Sequence, residues 1–134
     1  DYVVFNIFVF TIIIFDSLSF ITGKLIGKNY IFKVISPKKT LEGYVGGFIT
    51  TNVFFFFYYY FMIIQIEINF LIILVNLIIL ISIIGDLIES YFKRKNNLKD
   101  SSNYLPGHGG YFDRFDSFVA STIMLTLLSL FLNL

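Results

Sequence analysis

Residues Ile68 to Ile88 read INFLIILVNLIILISIIGDLI. At 1.5 Å per helical residue this run covers about 30 Å, the thickness of a bilayer's hydrocarbon core. Its only ionisable side chain, Asp86, stands near the C-terminal end. Working outward, three further runs have the same character: Tyr2–Phe20, Tyr44–Ile64 and Phe118–Asn133. The chain is 57% hydrophobic and 14% charged over 134 residues, more apolar surface than a soluble domain of that length can bury. The expected fold is all-α: a polytopic transmembrane helix bundle of about four spans, forming one membrane-embedded domain over residues 1–134.

The charges set an orientation. All ten Lys and Arg residues fall in two connections, Lys24, Lys28, Lys33, Lys38 and Lys39 in the first and Lys93, Arg94, Lys95, Lys99 and Arg114 in the second. The link from Gln65 to Asn69 has none. The positive-inside rule makes both basic loops cytoplasmic and that link external. Most acids, among them Asp16, Glu42, Asp86, Glu89, Asp100, Asp113 and Asp116, lie on the same side. One polar site facing the cytoplasm is the expectation. The chain opens at Asp1 with an apolar run already under way, and we read it as the C-terminal part of a longer protein with further spans upstream.

Composition narrows the chemistry. There is no cysteine and a single histidine, so a metal would be held by oxygen ligands, as Mg²⁺ is. A net charge of +1 argues against nucleic acid as a partner. GKLIGK, Gly23 to Lys28, is no P-loop: the glycine spacing is short, and Asn29 stands where Ser or Thr is required.

The densest functional stretch is KDSSNYLPGHGGYFDRFDS, Lys99 to Ser117. It combines Asp100, Asp113 and Asp116 with Lys99, Arg114 and His108, and Gly107, Gly109 and Gly110 allow close approach to the backbone. Carboxylates, cations and bare amides together suit a metal-bound polyphosphate. Asp113 and Asp116 share a helical face, as cation ligands or as acids favoured in a first turn. His108 has a phosphate-binding and a structural reading. Upstream, Asp86, Glu89, Ser90 and Lys93 fall on one helical face at i, i+3, i+4 and i+7, offering a carboxylate to metal and a hydroxyl and ammonium to phosphate. An ionisable group at membrane depth costs about 2.5–3.5 kcal/mol and usually serves function, although solvation of Asp86 in the headgroup zone is the plainer account. Ser36, Lys38 and Lys39 lie in SPKKTLEG, where a turn and cytoplasmic charge explain them as readily as a headgroup does.

The residues from Ser90 to Asp116 resemble the signature of the phosphatidate cytidylyltransferase (CDP-diacylglycerol synthase) family. That signature runs from a serine through Lys-Arg and Lys-Asp pairs to PGHGG and D-R-x-D, here Ser90, Lys93-Arg94, Lys99-Asp100, Pro106 to Gly110 and Asp113 to Asp116. Asp16 with Phe20, Gly27-Lys28, SPKKTLEG and Gly85-Asp86 with Glu89-Ser90 are similar to its upstream motifs. Leu41, Ser19 and Ile26 depart from the usual Trp, Tyr and Phe without removing a charge.

The resemblance implies transfer of a cytidylyl group from CTP to phosphatidate by a multi-pass, typically dimeric enzyme of the cell (inner) membrane, with Mg²⁺ and an active site facing the cytoplasm. It places metal-binding acids at Asp86 and Asp113, with Asp116 adjacent. Lys99 and Arg114 join these acids as catalytic candidates. Lys93, Arg94 and Lys99 are candidates for the CTP phosphates and Lys38 and Lys39 for the phosphatidate headgroup, with Ser36, Ser90, His108 and Gly109 as further substrate-binding candidates. Two other readings are open to the same residues: a CTP-dependent polyprenol or lipid kinase, and a small membrane subunit with no catalysis.

Overall fold

The computed structural model describes residues 2–31, 36–37, 39–62 and 66–96, together with Val119, Thr122, Ile123 and Thr126. Three long helices account for almost all of them: α1 (Tyr2–Ile26), α2 (Leu41–Phe61) and α3 (Ile68–Lys95). Among the described residues the only extended pairing is an isolated antiparallel bridge between Tyr30 and Thr40. Ile, Val and Phe are not strong helix formers. In hydrocarbon, however, each backbone N–H and C=O must be satisfied within its own segment, and a helix does this. Two helices, α1 from Val3 onward and α3, are long and apolar enough to cross a membrane. Rich in glycine, threonine and tyrosine, α2 falls short of that measure.

The three apolar runs read from the sequence thus lie on three helices, with different ends. Instead of stopping at Phe20, α1 continues through Ile26, and α3 passes Ile88 to reach Lys95. Both extensions carry polar contacts that the hydrophobic pattern does not register. Of the expected span Phe118–Asn133, the four described residues are helical, and Thr126 Oγ1 donates to the Ile123 carbonyl at 2.7 Å. The remainder of that run lies outside the described residues.

The chain divides into two compact units, Asp1–Ile79 and Leu80–Leu134. In the first, α1 and α2 pack antiparallel and very close at one end. A Cβ on Gly47 would sit 2.7 Å from Ser19 Cβ and 2.9 Å from Ser19 Cα, and one on Gly43 would lie 2.8 Å from the Ser19 carbonyl oxygen. Only glycine permits that approach, the small-residue packing expected where lipid supplies no hydrophobic drive between helices. Thr22 Oγ1 exploits it, donating to the Gly43 carbonyl across the interface at 3.1 Å. Toward the other end of the pair, bulk replaces proximity: the Phe10 and Tyr58 rings lie 6.5 Å apart.

The core of this unit follows the four-residue repeat of each helix. Ile7, Phe8, Ile12 and Phe15 are buried on α1, Phe55 on α2, and Leu71, Val75, Ile78 and Ile79 on α3. Two asparagines link α2 to the first part of α3. Asn52 Nδ2 donates to Asn76 Oδ1 at 3.1 Å, and Asn76 Nδ2 donates back to Asn52 Oδ1 at 3.3 Å. Each Nδ2 also donates to the carbonyl one turn earlier, Phe48 at 2.9 Å and Ile72 at 2.8 Å. Beside this pair an apolar cleft of about 480 Å³ runs between Val53, Phe56 and Phe57 on one helix and Ile68 and Ile72 on the other.

The glycine contact yields a direct expectation. Gly47→Val forces α1 away from α2 and should destabilise the fold by about 1–3 kcal/mol, read as a lower thermal midpoint in detergent. An unchanged midpoint would mean that this approach does not hold the pair together.

Candidate functional site

The connection from α1 to α2 is built around one carboxylate. Thr40, with φ −112° and ψ 153°, caps α2 and accepts from the Gly43 N–H at 3.2 Å. Two residues on, Glu42 turns back over the connection. Its Oε2 accepts from the Lys28 N–H at 3.1 Å and the Asn29 N–H at 3.1 Å. Its Oε1 accepts from the Asn29 N–H at 3.2 Å and from Asn29 Nδ2 at 2.7 Å. The Leu41 N–H completes the closure by donating to the Asn29 carbonyl at 2.8 Å.

The N–H groups of Glu42 itself and of Asn29 hold the Glu42 carboxyl below its ordinary value of 4.5. A smaller desolvation opposes them, and the Lys28 N–H and the Asn29 carboxamide add to the lowering. Gly27 is required here by closeness: a Cβ would lie 2.1 Å from the Gly23 carbonyl oxygen and 2.5 Å from Thr40 Oγ1. GKLIGK is therefore the end of a helix folded onto a cap. Of the candidate substrate-binding residues in this unit, the Ser36 carbonyl accepts from the Lys39 N–H at 3.3 Å, and the Lys39 ammonium stands 5.7 Å from the centre of the Tyr44 ring. Lys38 lies outside the described residues.

The second unit contains the last part of α3. Ser82, Gly85, Asp86 and Ser90 are buried along one face of it, with Asp86 8% exposed and Ser82 1%. Glu89 lies beside them and pairs with Lys93, Nζ to Oε1 at 3.2 Å. The helix ends on Lys93, Arg94 and Lys95, which complement the negative end of its dipole. Asn96 closes the last turn, its N–H and Nδ2 both donating to the Phe92 carbonyl, at 3.2 and 2.9 Å.

Within about four turns, α3 thus carries a buried carboxylate, two buried hydroxyls and a rim of cations. Oxygen donors inside and ammonium and guanidinium groups outside suit a hard cation bridging to phosphate. The Glu89–Lys93 pair refines the sequence reading, because a phosphate reaching Lys93 must exchange with a carboxylate already in place. Lys99, His108, Gly109, Asp113, Arg114 and Asp116 lie outside the described residues. Among the described residues no three acids or histidines converge as a metal cluster.

Two polar features of the structure, the Glu42 contacts and the buried Ser82, are not evident from the sequence. In the sequence Glu42 is one of the cytoplasmic acids, whereas in the structure four contacts bind it to the chain's own backbone and Asn29. The signal was present in its place two residues after a threonine cap. Ser82 had no signal, since serine in an apolar run reads as tolerated polarity.

Residues 1–132 match the model of the cytidylyltransferase family. The chain is 41% identical over 113 residues to a phosphatidate cytidylyltransferase of Staphylococcus saprophyticus, covering 84% of this chain and 44% of that protein. Proteins of the same name from Staphylococcus haemolyticus and Staphylococcus aureus are 39% and 38% identical over the same shares. The chain therefore spans less than half the length of these relatives.

The Glu42 contacts give the second expectation. A carboxyl whose value is lowered on folding contributes stability above its unfolded value, about 4.5, and loses it as pH falls through the lower folded value. Glu42→Gln should therefore lower the thermal midpoint at pH 7, with the gap to wild type closing as pH drops below about 4.5. A gap independent of pH would show that the charge on Glu42 is not what secures the connection.

Proposed function

The chain belongs to the cytidylyltransferase family, and we propose that it forms part of a membrane enzyme that transfers the cytidylyl group of CTP to phosphatidate, giving CDP-diacylglycerol and pyrophosphate. The observation that carries this reading is the buried Asp86, with Ser90 one turn on and Lys93 and Arg94 at the rim, at the end of a helix able to cross a membrane. Phosphatidate presents its phosphate monoester at the headgroup plane, where such a helix end emerges.

The reaction needs positioning more than acid–base work. A phosphate oxygen of phosphatidate is already anionic at neutral pH. It bonds to the α-phosphorus of CTP as the bond from that phosphorus to the bridging oxygen breaks, and the electron pair leaves on pyrophosphate. Asp86 and Asp113 would hold a divalent cation, Mg²⁺ in our reading, with Asp116 adjacent. The fit rests on the donor set: Asp86 is a buried oxygen ligand, and the chain has no cysteine. When bound, that cation neutralises charge developing on the departing phosphates.

The chain's own groups align the reactants. Lys93, Arg94, Lys99 and Arg114 draw in the triphosphate, and Arg114 can grip an anion through two N–H groups. Ser90, His108 and Gly109 complete the CTP side. Ser36, Lys38 and Lys39 meet the phosphatidate headgroup. Holding two anions in line removes much of the entropic barrier to their reaction. The arrangement presumes four spans within one membrane domain, both basic loops on the cytoplasmic side of the cell membrane, and a homodimer.

The test is pyrophosphate release by the full-length protein in liposomes with CTP, Mg²⁺ and phosphatidate. Release should require both substrates and fall roughly 100-fold or more in Asp86→Asn. Accumulation of free CDP with a phosphorylated lipid alcohol would instead identify a kinase. Equal activity in Asp86→Asn would remove Asp86 from the site.

A further inference from the structure

Hydroxyls in these helices are generally satisfied by the carbonyl one turn back. Thr11 donates to Ile7 at 2.6 Å, Thr22 to Leu18 at 2.7 Å, Thr50 to Gly46 at 2.7 Å, and Ser19 to Asp16 at 3.1 Å. Ser82 breaks the habit. It is 1% exposed, and its Oγ has no hydrogen-bond partner. A buried donor left unmade is a standing cost to the fold, and a protein that retains one retains it for a reason.

Its position supplies the reason. Ser82 lies one turn before Asp86 on the same buried face, and helical side chains lean toward the N-terminus. Asp86 therefore follows Ser82 on one helical face, with the general lean of helical side chains running from Asp86 toward that turn. A carboxylate that gives one oxygen to a cation needs a donor for the other, and such outer partners orient the ligand.

We propose that Ser82 is a positioning residue: its Oγ–H is the donor held for Asp86 when that carboxylate turns to a divalent cation. The proposal rests on the reading of Asp86 as a cation ligand. Its role is orientation, and it requires no contact between Ser82 and substrate. Thr51 provides the internal comparison. It too is fully buried with an unpartnered hydroxyl, but no carboxylate lies within two turns of it on α2.

The test uses the full-length protein and Mg²⁺ alone, following the thermal midpoint as Mg²⁺ is raised. Ser82→Ala keeps the small size and removes only the hydroxyl. Its metal-free midpoint should equal or exceed that of wild type, while the half-saturating Mg²⁺ concentration rises about 10-fold or more. Ser82→Thr, which restores the donor, should recover most of the response, and Thr51→Val should leave it unchanged. The same Mg²⁺ dependence in Ser82→Ala and wild type would overturn the proposal, as would an equal shift in Thr51→Val. Absence of a Mg²⁺ response in wild type would overturn it together with the cation reading of Asp86. A wild-type protein that shows the response but releases no pyrophosphate would sink the cytidylyl-transfer reading and leave the role of Ser82 standing.

Discussion

Two backbones in near contact hold this architecture together. Where Ser19 meets Gly43 and Gly47, there is no room for a single methyl group between α1 and α2. Within a bilayer, burying more apolar surface gains little, since lipid is as apolar as the helix it replaces. What remains is dispersion at very short range and the hydrogen bonds such proximity allows, of which the Thr22–Gly43 contact is the plainest. The connection that follows inherits its geometry from this crossing. With the end of α1 laid against the start of α2, Glu42 can reach the amides of Lys28 and Asn29, and Thr40 can seat against Gly27.

Among the described residues, Glu42 and Asp86 stand in contrasting surroundings. Glu42 is committed inward, its oxygens taken by N–H donors of the chain itself. Asp86 is buried beside Ser82 and Ser90, on the face that also carries Glu89 and Lys93. Glu89 stands between these cases, paired to a lysine whose charge a phosphate would also seek. Only 14% of this chain is charged, so each of these acids is a large share of its ionisable groups.

The helices were legible in the sequence because hydrophobic run length is a direct consequence of bilayer thickness. Their ends were not. The pattern stops at Phe20 and Ile88, whereas the helices continue through polar residues that pack or pair, Gly23 against Thr40 and Glu89 with Lys93. Asp86, Glu89, Ser90 and Lys93 are legible as one helical cluster because 3.6-residue periodicity needs no tertiary information. Glu42 and Ser82 are not, for opposite reasons. The role of Glu42 depends on partners thirteen and fourteen residues earlier in the chain, which only the α1–α2 crossing brings near. That of Ser82 depends on a bond it does not make, and a sequence cannot display an unmade bond. The crossing explains the glycines of GKLIGK, since Gly23 and Gly27 both lie against Thr40.

The Asn52–Asn76 pair acts as a detent. Each carboxamide gives one N–H to its partner and one to its own helix, and its oxygen receives the partner's donation, so the set closes on itself. Sliding one helix past the other by a single residue would strand donors and acceptors in hydrocarbon, with no water to receive them. Small axial slips, the cheapest motion for smooth apolar helices, are therefore barred. The pair thereby marks a single register between α2 and the first part of α3.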